Sequence, residues 1–551
     1  MARPYRYTPQ MYAEYKSKGY WNSETPSDLW RRNAKDYPDK EAIVDSGTRL
    51  TWQQANQWID RLSLGFLELG FKKDDLIVLQ LPNSVELCLL RVAMERAGLL
   101  CLPVLRTWRH RDLGYALKQV DAAGIVIPRQ FREFDYFQMV AELRPGLPEL
   151  KQVFVTGDTV PPGAVSIRKM VETPLEKKYP IDFLKKTQFP AEEFSLILPT
   201  GGTTGFPKFV ENPICAVMVR DRACVTNLKL NSADVIGALS PTSGGTNARA
   251  YFGAPMIGAK IAMLEHFTPK TALAFIEKEK ITVTPLVPTQ LAMMIREPDF
   301  ENYDLTSLRL VLTMGAPLPY ELAVEVEEKL GCPIVPNYGS IDCAAACTGS
   351  LQEVSELRLR TVGKPYGGAQ VRLVDEEGRE ISPDRVSGEI QIRGPGASSG
   401  YFRDHEATRQ AWTPDGWYKT GDLGTFAVNG DLAIVGRKKE VIIRGGQNIY
   451  PVEIENLLAA HPKILHVAVV KMPDDLMGEK ACAYAVAKPG ESLTFDELIA
   501  FLKEQGIAPY KWPERLETLE ALPLGADGQK VLKMELEKDI AAKIQSNAKG
   551  I

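Results

Sequence analysis

Leu76-Ile-Val-Leu-Gln-Leu-Pro-Asn-Ser-Val-Glu-Leu-Cys-Leu-Leu-Arg-Val-Ala-Met94 changes its hydrophobic period half-way along. The first six residues are an almost unbroken apolar run, the pattern of a buried strand, and from Val85 the apolar positions return at helical spacing. The same strand-then-helix rhythm recurs at Ala122-Ala-Gly-Ile-Val-Ile127, Ile261-Ala-Met-Leu264 and Leu308-Arg-Leu-Val-Leu312. Alternation of this kind predicts an α/β fold of mostly parallel sheets covered by helices. Upstream, Ser27-Asp-Leu-Trp-Arg-Arg-Asn-Ala34 reads as a helix start with Ser27 as its cap.

Downstream the texture changes twice. From about Gly363, short strands such as Val371-Arg-Leu-Val-Asp375 and Gly388-Glu-Ile-Gln-Ile-Arg-Gly394 lie between glycine-rich turns, which predicts a barrel-like section. After the strand Leu432-Ala-Ile-Val435 comes the charged junction Gly436-Arg-Lys-Lys-Glu440. The remaining roughly 110 residues, with helices at Pro451 and Phe495 and strands at Val467 and Ala481, are enough for a small α+β domain.

The 551 residues suggest about three or four structural units. With 44% hydrophobic residues, 25% charged residues and a net charge of −4, the chain reads as soluble and globular and lacks the clustered positive charge of a nucleic-acid binder. The eight cysteines are scattered without paired metal-ligand spacing, so buried free thiols are expected rather than a zinc site. No signal-peptide core follows Met1, and no apolar run approaches the roughly 20 residues of a membrane helix, so a cytoplasmic location is expected.

Chemistry concentrates in Leu198-Pro-Thr-Gly-Gly-Thr-Thr-Gly-Phe-Pro-Lys-Phe209. Consecutive small residues let backbone N–H groups converge on an anion, and threonine hydroxyls add donors. This is not a Walker loop, because Phe206 and Pro207 separate Gly205 from Lys208 and no hydroxyl residue follows. A solvated turn between strand and helix is the competing reading. Asn337-Tyr-Gly-Ser-Ile-Asp342 offers a ring for a nucleobase and a carboxylate for magnesium; Trp417-Tyr-Lys-Thr-Gly-Asp422 offers a carboxylate for ribose hydroxyls; Arg437 stands at the junction. Singly, each has a duller role as core tyrosine, turn cap or surface arginine.

In this order, from about Pro26 to Leu536, the motifs resemble the adenylate-forming superfamily of acyl-CoA synthetases, aryl-acid ligases, luciferases and peptide-synthetase adenylation domains. The nearest resemblance is to CoA ligases for aromatic or alicyclic acids and to ligases of the 2,3-dihydroxybenzoate-AMP type, a group that Ala508-Pro-Tyr-Lys-Trp-Pro-Glu-Arg515 also matches. The resemblance implies an N-terminal region, 1–437, of two mostly parallel sheets with flanking helices plus a distorted β-barrel. A small mobile α+β C-terminal domain, 438–551, would follow.

It also implies roles. Thr200, Gly201, Gly202, Thr203, Thr204, Gly205 and Lys208 would order the ATP phosphates, with Thr203 acting in catalysis. Asn337, Tyr338 and Gly339 would frame adenine, with Gly315, Ala316 and Pro317 along its other side. Asp342 would orient Mg2+, Asp422 and Arg437 would hold the ribose, and Lys530 would be the catalytic lysine, with Lys533 its structural neighbour. Lys439 would be the hinge, and the turn at Gly445 and Gly446 would help form the thiol tunnel. Ser243, Gly244, Ser340, Ile341 and Cys343 would line the acid pocket.

Several positions depart from the family pattern. Gly201 replaces a serine, Phe209 a glycine and Asp342 a glutamate, and the loop before Lys530 is one residue longer than usual. Gly244 stands where dihydroxybenzoate ligases place the asparagine that reads the 2-hydroxyl, which argues against an ortho-hydroxylated benzoate. The otherwise apolar lining points to a hydrophobic, cyclic acid.

The expected activity is an AMP-forming acid–CoA ligase using ATP, Mg2+ and coenzyme A. The Gly445-Gly-Gln-Asn-Ile-Tyr-Pro451 turn and the lack of a carrier domain after Lys530 favour it over a free-standing enzyme that loads a carrier protein. A non-catalytic binder is disfavoured by the retained Lys530, Asp422 and Arg437. Expected partners are a small carboxylic acid, ATP and CoA, with no nucleic acid and no membrane span; a homodimer is left open.

Overall fold

A computed structural model describes the chain apart from residues 1–4, 201–205, 241–244, 382–386, 446, 526–530 and 550–551. The Leu76–Met94 stretch is a fully buried strand, Leu76–Leu79, followed by helix Val85–Ala97. The Ser84 hydroxyl caps the helix by accepting from the Leu87 amide, and left-handed Gly98 ends it. Both elements lie deep in the core because neither has a polar face to offer water.

The strand sits inside an eight-stranded sheet in the order Gly400–Tyr401, Phe209–Pro213, Phe194–Pro199, Leu100–Pro103, Leu76–Leu79, Gly124–Pro128, Gln152–Thr156 and Ala164–Ser166. From Phe194–Pro199 onward the neighbours are parallel, and the two strands at the other edge are antiparallel. A nine-stranded sheet repeats the design around the parallel run Ile334–Ser340, Leu310–Thr313, Val283–Leu286, Val235–Ala238, Lys260–Met263 and Glu41–Val44. Helices Trp52–Glu68 and Val85–Ala97 join the two sheets, since Ile59, Phe66, Leu89 and Ala93 share one apolar cluster with Ile77 and Val126 of the first and Ile236 and Leu310 of the second.

The section expected to be a distorted barrel is a four-stranded antiparallel sheet, Gln370–Val374, Gly388–Arg393, Tyr418–Phe426 and Leu432–Arg437. Among the described residues its outer strands do not pair with each other, so this sheet is open. A five-stranded sheet is built wholly from residues 442–518, and the apolar clusters on its two faces contain only residues beyond 441.

One local expectation is corrected. The cap of helix Pro26–Asp36 is Thr25, not Ser27: its hydroxyl accepts from the Asp28 amide while the Asp28 carboxylate accepts from the Thr25 amide. Pro26 takes the first helical position, where a missing N–H costs nothing. All eight cysteines are buried and outside any disulfide. Among the described residues no helix is long and apolar enough to cross a membrane.

Candidate active site

The threonine-glycine run lies in sequence between two strands that pair with each other. Phe194–Pro199 and Phe209–Pro213 pair antiparallel, so the segment does not run from strand into helix as the solvated-turn reading had it. Thr200 and Lys208 close the tip: the Thr200 amide donates to the Lys208 carbonyl at 2.8 Å, and the Lys208 amide donates to Thr200 Oγ1 at 3.1 Å. Gly201, Gly202, Thr203, Thr204 and Gly205 lie outside the described residues. Phe209, the departure from the family glycine, is buried, and its ring and that of Phe206 both lie against Tyr115. The Lys208 ammonium lies 4.6 Å from the Tyr401 ring centre.

This tip follows the carboxyl end of a parallel strand, and so do the next site residues. Gly315, at φ +90°, turns the chain just past Leu310–Thr313, and Ala316 and Pro317 follow it into solvent. Asn337, Tyr338, Gly339 and Ser340 form the end of the neighbouring strand, where Thr313 is in register with Pro336. Outside the carboxyl ends of such strands is where open α/β sheets bind ligands. Asn337 is buried with no partner for Nδ2, whereas the Tyr338 hydroxyl donates to Asp422 Oδ2 at 2.8 Å. The other oxygen of Asp422 accepts from Arg437 Nε at 3.0 Å, the two residues facing each other across an antiparallel pair. Burial first, then the Asp422 charge, pushes the Tyr338 phenol well up from its ordinary pKa.

Asp342 lies just beyond. Its Oδ2 accepts from Ser340 Oγ at 3.3 Å, while its buried Oδ1 has no hydrogen-bond donor. The Tyr401 and Tyr418 phenols face this carboxylate; burial and then its charge push both phenols up. Cys343 is buried, its Sγ 3.3 Å from Ser340 Oγ, and burial pushes its thiol up to about 12. Ile341 is half-buried, while Ser243 and Gly244 lie outside the described residues.

At the junction, Lys438–Glu440 form one tight turn after strand Leu432–Arg437. The Lys439 carbonyl accepts from Lys471 Nζ at 3.4 Å, and Lys438 pairs with Glu389 at 3.1 Å. Gly445 sits at φ +55°, where an added Cβ would come within 2.6 Å of Met477 Cε. Gly446 and Lys530 are outside the described residues. The chain on either side of Lys530 is pinned by a bridge between Leu524 and Val531 and by the Leu532 amide donating to the Pro523 carbonyl at 2.8 Å.

Two family models match this chain: AMP-binding enzyme over residues 30–402, and AMP-binding enzyme C-terminal domain over residues 453–529. The chain belongs to the AMP-binding enzyme family. It is 31% identical to a medium-chain fatty-acid–CoA ligase of Escherichia coli (strain K12), over 98% of this chain and 94% of that protein. It is 30% identical to the 2,3-dihydroxybenzoate-AMP ligase of Bacillus subtilis (strain 168), over 97% of each. The crystal structure of an anthranilate CoA ligase in complex with anthranoyl-AMP superposes with a TM-score of 0.84 at 22% identity, covering 95% of this chain and 98% of that one. As an AMP-binding enzyme the protein is an adenylate-forming acid ligase, in the class of AMP-forming acid–thiol ligases.

For this AMP-binding enzyme the magnesium implied by the family has a fitting ligand. Among the described residues no three His, Cys, Asp or Glu side chains converge, but Mg2+ on a nucleotide needs only one or two carboxylates besides phosphates and water. The orphaned Oδ1 of Asp342 is such a group. Sequence reasoning missed Tyr401, Tyr418 and Ser398, which surround this carboxylate or hold its main chain. Ser398 and Tyr401 lie in the turn Gly394-Pro-Gly-Ala-Ser-Ser-Gly-Tyr401, whose small residues mark a turn but not what it packs against, and Tyr418 has no local signal.

Proposed function

We propose that the protein is an ATP-dependent acid–CoA ligase that activates a hydrophobic, cyclic acid through an acyl-adenylate. The observation that carries this reading is the meeting of Tyr338, Asp422 and Arg437, far apart in sequence, beside a carboxylate with an unpartnered oxygen. Asp422 and Arg437 would grip the ribose hydroxyls, Asn337 would meet the adenine edge, and the hairpin closed by Thr200 and Lys208 would hold the β- and γ-phosphates. Asp342 would hold magnesium, whose charge, when bound, offsets that of the phosphates.

The chemistry follows from charge. A carboxylate needs no base at neutral pH; its difficulty is approaching a polyanion. Its oxygen bonds to the α-phosphorus, the bridging P–O bond breaks, and pyrophosphate leaves with the electron pair while fixed cations, Lys530 among them, neutralise the transition state. In the second half, thiol sulfur bonds to the acyl carbon, AMP leaves, and the thiol proton passes to water. Because Lys530 would block the thiol's approach, residues 438–551 would swing about Lys439 between the halves. The separate sheet and cores beyond residue 441, reached through one turn, support a boundary at 437/438.

The similarity to a 2,3-dihydroxybenzoate-AMP ligase keeps carrier loading as a second reading. Acid-dependent exchange of pyrophosphate into ATP, screened over linear, aromatic and alicyclic acids, tests the first half. The expected result is exchange with a cyclic acid, followed by AMP release accelerated by CoA. Release that only a phosphopantetheinylated carrier accelerates would favour the second reading, and no exchange with any acid would remove both.

A further inference from the structure

The segment Tyr5–Trp21 precedes the residues matched by the AMP-binding family model, yet its side chains reach into the loop Gly394–Ser399. Trp21 Nε1 donates to the Pro395 carbonyl at 2.9 Å, the Tyr7 hydroxyl to the Ala397 carbonyl, and Arg6 Nη2 to the Ser398 carbonyl at 2.8 Å. Tyr7 and Trp21 are buried and packed ring to ring with Tyr12, while Tyr15 packs against Trp21, so these donors have been taken out of water for this loop. Tyr20 rests on Gly368, where an added Cβ would come within 2.7 Å of its ring.

The other side of the same loop faces the site. The Ser398 amide donates to the Asp342 carbonyl at 3.3 Å, and the Ser398 hydroxyl donates to it as well. Ser399 binds Glu211, its amide to the carbonyl at 3.2 Å and its hydroxyl to the carboxyl group at 2.8 Å. Glu211 is three residues past Lys208, on the outgoing strand of the phosphate hairpin. The loop is therefore gripped from outside by the N-terminal segment and itself grips the main chain at Asp342 and the hairpin.

We propose that Arg6, Tyr7 and Trp21 are positioning residues: the segment is a strap that fixes loop Gly394–Ser399 and, through Ser398, aims the Asp342 carboxylate at the metal carried with ATP. The strap rests on the metal role given to Asp342 above. A strap that only completed the core would leave nucleotide-metal affinity untouched when its donors are removed and its rings kept.

The test uses the full chain with Mn2+ and ATP and no acid, so that no turnover occurs. Tyr7→Phe combined with Arg6→Met removes two donors, and Ser398→Ala removes the hydroxyl bond to the Asp342 carbonyl while leaving the amide bond. The expected result in both is a dissociation constant for Mn2+–ATP, by calorimetry, raised about fivefold or more, the worth of one or two buried hydrogen bonds. Hydrogen exchange of the 394–402 amides should be faster in both. Unchanged Mn2+–ATP affinity, whether or not exchange quickens, overturns the strap. Should the double variant fail to fold, Tyr7→Phe alone is measured, and unchanged Mn2+–ATP affinity in it overturns the strap. Asp342→Asn separates the two ideas: if it binds Mn2+–ATP as the wild type does, the metal role of Asp342 falls, and if it binds weakly while the strap variants do not, only the strap falls.

Discussion

Asp422 serves two neighbours with one carboxylate, taking the Tyr338 hydroxyl on one oxygen and Arg437 on the other. Tyr338 is thus held at its tip, leaving its ring face as the surface a base can meet. Tyr338→Phe should raise the KM for ATP in pyrophosphate exchange by roughly ten- to a hundredfold, the range for one buried hydrogen bond to a charged group. Asp422→Asn, which removes the charge shared by Tyr338 and Arg437, should cost more, and the double variant should fall short of the sum, because both changes act on the same bond. Additive effects would show that the contact carries no coupling. Tyr338, Asp422 and Arg437 were legible because each ends a short motif with its own residue pattern. Tyr401, Tyr418 and Ser398 were not, because what makes them matter is strand pairing and loop return across some 60 residues, which no local spacing encodes.

At the scale of elements, the strand-helix units could be read because their hydrophobic period is local, whereas the hairpin could not, since a run of small residues carries no period to announce the returning strand. The docking of helix Pro26–Asp36 on helix Val85–Ala97 was hidden for another reason: it hangs on a buried carboxyl group. Glu95 accepts the Ser27 amide at 3.1 Å on one oxygen, and the other has no partner. Burial pushes Glu95 up to about 7 from 4.5. Glu211 is likewise pushed up to about 7 by burial. The unfolded chain releases these protons near pH 4.5 and the folded chain holds them until about 7, so folding stability is greatest below that window and falls as pH rises through it. Glu95→Gln, which keeps an acceptor for Ser27, should flatten that fall by as much as about 3 kcal/mol. Denaturant unfolding at pH 4.5 and 7.5 measures it; parallel losses in variant and wild type would show that Glu95 already ionises in the fold.

For the whole molecule the question is which tail lysine can travel. Lys533, at the start of the helix Lys533–Lys549, lies 2.7 Å from Glu455 and 3.2 Å from Glu440, the residue next to the proposed hinge. Burial works against its charge, but the two carboxylates outweigh it and hold the ammonium above its ordinary pKa. Lys533 therefore ties the last helix to the junction and is spoken for in any swing, whereas Lys530 has only its flanking chain fixed, Leu524 to Val531 and Pro523 to Leu532. The two lysines should fail differently. Lys533→Met leaves two carboxylates without their buried cation and should destabilise the C-terminal unit by about 3–5 kcal/mol, lowering both half-reactions together as folded enzyme is lost. Lys530→Ala should leave unfolding unchanged and slow acyl-adenylate formation by a hundredfold or so, as expected when one charge-stabilising donor is removed from a transition state. Thioester formation from synthetic acyl-adenylate should survive it, because the thiol attacks only after the lysine has withdrawn. Measuring both half-reactions and denaturant unfolding on each variant decides the matter: equal loss in the two halves with Lys530→Ala would mean that the domain does not alternate, since a lysine that stays in place serves both steps or neither.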